Sequence, residues 1–416
     1  MTHSDIVRGL LERRRLLTAA VAMAAVPVLG RAQGTASPQS LGGKEITVDG
    51  ARTSPIPIAI PPLAGGGGGT DSLGRDMAGV ITNNLQRSGL FRPIDPNAFI
   101  GGDATADTPN FQNWKAIGAQ ALMSGKVESQ GGDRVRVEFR LWDVLPGTQI
   151  QGTAYSTTLG NWRRIAHIIS DVIYERLLGE KGYFDTRVVY VAGSGPRDRR
   201  VKRLAIMDQD SANNRFLSDG SWNALTPRFS PDGGSIVMAQ TRGGGSDIYV
   251  VSSGGGGGRA ITNSGAIDVS PCYSPDGAQI VFNSDRGGDQ QIYVMGSGGG
   301  GVKRISFGRG QYATPVWSPR GDFIAFTRFG GGTFAIGVMH PDGSGERILS
   351  ESYFVEGPTF APNGRVIMFC RETAARDSRG AGYSARLVSI DIAGFNERPV
   401  STPTDGSDAD WSPLLA

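Results

Sequence analysis

The chain has 416 residues, 42 Lys and Arg against 39 Asp and Glu, and a formal net charge of +3. All of that excess sits in residues 1–32, where Arg8, Arg13, Arg14, Arg15 and Arg31 outnumber Asp5 and Glu12; the remainder carries 37 charges of each sign. A neutral chain with 39% hydrophobic and 19% charged residues is neither a disordered polyelectrolyte nor built to bind a polyanion, so nucleic acid is excluded as a partner. The 62 glycines are about twice the usual share and follow no collagen period, so they mark turns.

In chain order, Arg13-Arg-Arg15 precedes an apolar run, Leu16–Leu29, that is too short to span a bilayer. It ends in Leu29-Gly-Arg-Ala32, with small residues at the −3 and −1 positions of a cut after Ala32. This is an export signal, and it fits both ordinary Sec export and the twin-arginine route. Residues 33–43 read as a flexible tail.

Residues 44–184 form an α/β unit. Ile46-Thr-Val48 and Ile56-Pro-Ile-Ala-Ile60 read as strands. A helix over 71–88 places Leu73, Met77, Val80, Ile81 and Leu85 on one face and stops at Gly89. Alternation over Arg134–Leu141 marks a meander within 120–157, and a last helix over about 161–178 ends at Gly179. His167, two residues past Ile165, falls off that helix's apolar face and is expected in solvent. Gly65–Gly69 lacks the Gly-Lys-Ser/Thr ending of a phosphate loop.

The second half repeats. Pro227-Arg-Phe-Ser-Pro-Asp-Gly233 recurs as Pro271–Gly277, Pro315–Gly321 and Pro358–Gly364, with a truncated Asp410-Trp-Ser-Pro413 at the end. The anchors Ser230, Ser274, Ser318, Ala361 and Ser412 are about one blade length apart. The Asp-Gly and Asn-Gly turns suit tight hairpins, and runs such as Ile236-Val-Met-Ala239 suit strands buried on both faces. The repeat therefore predicts a β-propeller over 185–416, in which Phe229, Tyr273, Trp317 and Phe360 pack between blades. The segment 186–218 has strands but no anchor, and 410–413 is an anchor with no blade after it. Their pairing completes one blade from both ends of the domain and gives a count of five; the ring either closes with five or has an irregular segment in the gap.

Catalytic signals are sparse. There is no Gly-x-Ser-x-Gly, His-Glu-x-x-His or metal-spaced cysteine pair. His340 lies in a hairpin turn. Cys272 and Cys370 occupy different repeat positions and are expected as unbridged, buried thiols. Asp405, Asp408 and Asp410 read as turn acids, with calcium binding as the alternative. No catalytic residue, cofactor or metal is assigned.

The export signal, the α/β unit and the repeats together resemble the TolB family of the Tol-Pal system, over essentially the whole mature chain. The marks are Glu45-Ile-Thr-Val-Asp-Gly50, Pro55–Ile60, Arg187-Val-Val-Tyr-Val191, Ala361-Pro-Asn-Gly364 and Trp411-Ser-Pro413. The resemblance implies a monomeric, non-catalytic periplasmic adaptor that does not span the membrane. It binds the lipoprotein Pal through the propeller and TolA through its N-terminal segment, alongside other outer-membrane proteins, and supports outer-membrane integrity and cell division. Family propellers have six blades; this chain reads as one repeat short near Pro227–Asp232. For Pal, the connections entering each inner strand are the expected contacts: Leu225, Thr226, Asp268, Val269, Ser270, Tyr312, Ala313, Thr314, Val355 and Glu356. For TolA they are Glu45, Ile46, Thr47, Val48 and Asp49. A propeller hydrolase or a small-molecule-binding propeller is the alternative.

Overall fold

The computed structural model describes residues 54–415 except 67–68, 101–107, 196–200, 218–227, 233, 243–244, 253–257 and 378–379. The signal through Ala32, the tail 33–43, the segment Glu45–Asp49, and Leu225 and Thr226 lie outside the described residues.

The α/β part opens with β1 (Ile56–Ala59), β2 (Ala64–Gly65), α1 (Thr70–Ser88) and β3 (Phe91–Pro93). After α2 (Phe111–Ala116) come β4 (Ala121–Ser129), β5 (Arg134–Asp143), β6 (Thr148–Thr158) and α3 (Trp162–Leu178). The sheet order is β3-β1-β4-β5-β6, with β2 alongside β4; β1 runs parallel to both neighbours and β4–β6 form the antiparallel meander. Gly89 and Gly179 end α1 and α3 in the left-handed conformation expected of a glycine stop. Gly74 is needed for contact, since a Cβ there would lie 2.0 Å from the Leu63 carbonyl oxygen. Helices α1 and α3 cover one sheet face with the expected apolar residues, and α2 covers the other through Trp114, Leu122 and Trp142.

The rest is five four-stranded antiparallel blades. The chain first lays down β7 (Arg187–Ser194), β8 (Val201–Asp208) and β9 (Arg215–Phe216). The first complete blade is β10 (Arg228–Phe229), β11 (Ser235–Arg242), β12 (Gly245–Ser252) and β13 (Arg259–Ala260). The second is β14 (Asp268–Tyr273), β15 (Gln279–Ser284), β16 (Gln291–Gly296) and β17 (Lys303–Arg304). The third is β18 (Gln311–Trp317), β19 (Ile324–Gly330), β20 (Thr333–Met339) and β21 (Arg347–Ser352). The fourth is β22 (Val355–Phe360), β23 (Val366–Asp377), β24 (Gly380–Asp391) and β25 (Arg398–Val400). Finally β26 (Asp405–Trp411) pairs antiparallel with β7, giving a fifth blade built from both ends of the propeller sequence.

The anchor motif makes the hairpin that starts each blade. In the second blade the Ser274 hydroxyl donates to Asp276 at 2.5 Å and accepts the amide of Gln279 at 2.9 Å, while Gly277 takes φ 71°. Serine, aspartate and glycine are therefore each required by the turn. The aromatic just before the turn packs onto the preceding blade: Trp317 onto Val281 and Ile292, Phe360 onto Ala325 and Ile336, Trp411 beside Met368 and Leu387.

Phe229 departs from this rule. It is 67% exposed where the equivalent Phe360 is 4% exposed. Ile236, Met238 and Ala239 are likewise only half-buried, so the expectation of full two-sided burial fails in the first blade. The reason is positional: the repeat pattern defines a packing face, but among the described residues no blade covers this one as the other blades are covered. The same truncation should therefore have very different costs at the two sites. Phe360→Ala should lose about 3–5 kcal/mol and Phe229→Ala under about 0.5 kcal/mol in urea unfolding; equal losses would show that Phe229 is packed in solution.

Candidate functional site

Strand direction gives the propeller two unlike ends. The starts of the inner strands, the β15–β16 and β19–β20 hairpins and the ends of the outer strands share one end, the mouth. The anchor hairpins share the other, and the α/β part docks there.

The docking contacts are specific. The Glu180 carboxylate accepts from Arg365 at 2.8 Å and from Arg320 at 2.9 Å, both at anchor turns. Burial works against that charge, but the two guanidiniums hold Glu180 below the usual carboxylate range. The Asp171 carboxylate accepts the amides of Phe184 and Asp185 at 2.7 and 2.9 Å, fixing the connection into β7, and burial pushes it up to about 7. The Trp411 indole donates to Thr186 at 2.8 Å.

His167 is also in this interface, contrary to the solvent position read from the helix pattern: it is 3% exposed. The face of α3 opposite its apolar stripe is covered by the β8–β9 turn, so a polar face became an interface. Asn84 donates to His167 Nδ1 at 2.8 Å, while Nε2 lies 3.9 Å from Asp210. His167, Asp208 and Asp210 are the group of potential metal-ligating side chains that converges among the described residues. Arg163 already holds Asp210, and Arg87 adds a second guanidinium charge nearby, so the cluster is charge-balanced by protein cations. Asp405, Asp408 and Asp410 do not converge in this way.

At the mouth the inner strands share a device absent from the sequence pattern. A β-bulge interrupts β14, β18, β22 and β26 at the same repeat position. Each bulge carries a left-handed residue: Ser270 (φ 54°), Thr314 (φ 47°), Gly357 (φ 66°) and Asp408 (φ 50°). Three of the four are not glycine, at a cost of about 1–2 kcal/mol each. Deeper in, the second position of the anchor motif brings Arg228, Thr359 and Asp410 together. Arg228 pairs with Asp410 at 2.9 Å, and the Thr359 hydroxyl donates to Asp410 at 3.2 Å.

The expected mouth contacts divide into two groups. Val269, Ser270 and Thr314 are partly exposed. Asp268, Tyr312, Ala313, Val355 and Glu356 are buried, so in this conformation they form the rim's support and not its surface. Asp268 accepts from Arg286 at 2.8 Å. The Tyr312 hydroxyl donates to Glu346 at 2.8 Å, and burial with that carboxylate pushes it up to about 12. The first residues of an inner strand thus turn into the neighbouring blade. Two side chains missed in the sequence stand at the rim instead: Phe307, 71% exposed after β17, and Tyr353, 57% exposed after β21. The signal available was an aromatic in the β17–β18 and β21–β22 connections, each leading from an outer strand to the next inner strand. Cys272 and Cys370 are free thiols, as expected; Cys370 is buried but Cys272 is only half-buried, and desolvation pushes both up.

Family models match in register with this architecture. The TolB amino-terminal domain matches residues 44–150, and the TolB beta propeller domain matches residues 174–236 and 218–415, two stretches that overlap over 218–236. The Tol-Pal system protein TolB of Gluconobacter oxydans is 49% identical over 459 aligned positions, covering 99% of this chain and 98% of that one. Its counterpart in Paramagnetospirillum magneticum is 52% identical over 418 positions, covering 89% and 93%. The crystal structure of TolB from Acinetobacter baumannii superposes with TM-score 0.71 at 25% identity, covering 86% and 97%. The Gluconobacter alignment exceeds the length of this chain, so at least 43 of its positions face no residue here. No described helix is long and apolar enough to cross a membrane.

The buried imidazole makes docking pH-dependent. Burial, with Arg163 and Arg87 opposing a further positive charge, lowers the affinity of His167 for a proton below that of an exposed histidine. The unfolded chain takes up that proton below about pH 6.5 while the folded chain does not. Stability is therefore full above pH 6.5 and falls as the pH drops below it, with a slope approaching about 1.4 kcal/mol per pH unit. In urea titrations between pH 7.5 and 4.5, His167→Gln should flatten this fall; an unchanged slope would assign it to other groups.

Proposed function

The chain belongs to the TolB family of Tol-Pal system proteins, and from that premise we propose that it is a non-catalytic periplasmic adaptor. Its export signal is removed after Ala32, and residues 44–184 and 185–416 are its two domains. The propeller mouth receives a peptidoglycan-associated lipoprotein of the Pal type, and the segment Glu45–Asp49 contacts TolA. Held between the two, the protein supports outer-membrane integrity and cell division.

The observation that carries the Pal reading is the contrast between the ends of the propeller. One end is taken by the α/β part through Glu180, Asp171 and Trp411. The other presents Phe307 and Tyr353 at the rim, with Val269, Ser270 and Thr314 inside it on strands whose bulges carry strain. Exposed aromatics on a rigid frame are the usual energetic centres of a protein interface, and backbone strain concentrates at binding sites. The adaptor role rests on charge as well: the described acid–base clusters near the domain junction are spent on ion pairs that hold the two parts together.

Calorimetric titration of the mature chain with the soluble part of Pal should give one site. Replacing both Phe307 and Tyr353 by Ser should weaken it by about tenfold or more without lowering the melting temperature. Deleting Glu45–Asp49 should leave Pal binding intact and abolish TolA binding. Absence of Pal binding by the folded wild-type chain at tens of micromolar would overturn the reading.

A further inference from the structure

A cavity between the α/β part and the fourth and fifth blades gathers cationic and hydroxyl groups that the protein leaves without an acidic partner. It is lined by Arg87 at the end of α1, Tyr183 before β7 and Arg398 at the start of β25, with Met368, Val400 and Trp411 as its apolar wall. Its volume, about 40 Å³ counted at the centres of water-sized spheres, is room for about three waters. The exposed Asn396 and Pro399 stand on its solvent side. Arg87 donates through Nη2 to Gln209 at 2.6 Å and to Asn84 at 3.3 Å, whereas its buried Nε–H has no partner among the described residues. Asp210 acts on this guanidinium from beyond ion-pair distance and is itself held by Arg163, so burial pulls Arg87 below the usual guanidinium range. Arg398 donates through Nε to the Asn396 carbonyl at 3.3 Å and forms no ion pair among the described residues. Tyr183 is 4% exposed and packs edge-on against Trp411, yet its hydroxyl has no hydrogen bond among the described residues. Burial pushes that phenol up to about 12, which keeps it a neutral donor. Asp391 also lines the cavity; its Oδ1 accepts the Ala393 amide at 2.7 Å, and it pairs with neither guanidinium.

We propose that this cavity binds one small oxyanion, a phosphate or a carboxylate group, between Arg87, Arg398 and Tyr183. A buried guanidinium without a carboxylate and a buried hydroxyl without a partner are each costly, and here they share one space. Water alone would meet the hydroxyl but not the charge. An oxyanion meets both, because its oxygens accept from guanidinium and phenol alike. Two guanidiniums against the Asp391 carboxylate leave the lining with an excess positive charge, which favours an anion over a cation or a neutral ligand. The volume fits a head group and not a large body. Arg87 belongs to the α/β part and Arg398 to the fourth blade, so a bound anion ties the two together. None of these residues lies at the mouth, so the site stands independently of Pal binding.

Equilibrium dialysis of the full mature chain against radiolabelled inorganic phosphate, and separately acetate, tests this at fixed ionic strength in chloride. At least one of the two should bind with saturating one-to-one stoichiometry below about 1 mM. A preference for phosphate identifies the ligand as a phosphate group and a preference for acetate as a carboxylate. Arg398→Gln and Tyr183→Phe should each weaken binding by about tenfold or more, since each removes a donor to a charged acceptor. Arg75→Gln, at an exposed position on α1, should leave it unchanged. The bound anion should also raise the melting temperature of the wild-type chain and not that of Tyr183→Phe. That substitution deletes one oxygen from a ring that keeps its packing, so it tests the site even if Arg398→Gln proves unstable. Absence of saturable binding of either anion, undiminished binding by Tyr183→Phe, or equal weakening by Arg75→Gln would each overturn the proposal.

Discussion

A propeller blade is a sheet with two apolar faces, and neither face can be left in water without cost. Burying one large aromatic or aliphatic side chain is worth roughly 1.5–3 kcal/mol, and a blade carries several on each side. Each blade therefore depends on its neighbours, and the arrangement is stable only where the sequence of covers is continued. That constraint explains the aromatic before every anchor turn, the pairing of β26 with β7 that joins the two ends of the propeller, and the position of α3. The α/β core runs from Met77 and Ile169 through Tyr174 and Tyr183 to Trp411 and Met368 without a polar break.

Polar groups then decide how the parts are oriented. Hydrophobic packing is tolerant of small rotations, but Glu180 between two guanidiniums and Asp171 on two consecutive amides are not. These contacts sit at the turn end of the blades, which leaves the bulged ends of the inner strands open. Four strained bulges at one repeat position are compatible with a stable ring because the surrounding strands over-determine them. The chain thus concentrates its rigidity at one end of the propeller and its binding geometry at the other.

Much of the fold was legible because its signals are local. The anchor turn is written in Ser, Asp and Gly at fixed offsets, and the stops of α1 and α3 are written in Gly89 and Gly179. The site was less legible. Reading the residues before each anchor located the correct end of the propeller but chose Asp268, Tyr312 and Val355, which turn inward, over Phe307 and Tyr353, which turn out. Whether a strand's first residue faces a neighbour or solvent depends on the bulge and on blade spacing, neither of which leaves a mark in local sequence. His167 failed for the same reason: helical periodicity shows one apolar stripe and cannot show that a second face is buried by a distant turn.

By itself the sequence determined the repeat, the five blades and the strand pairing that joins the ends of the propeller, because hydrogen-bonded turns and alternating burial act over a few residues. The tertiary structure alone decided which equivalent residues are covered. Phe229 and Phe360 occupy the same place in the repeat, yet one is exposed and one buried, because burial belongs to what packs against a residue and not to the residue.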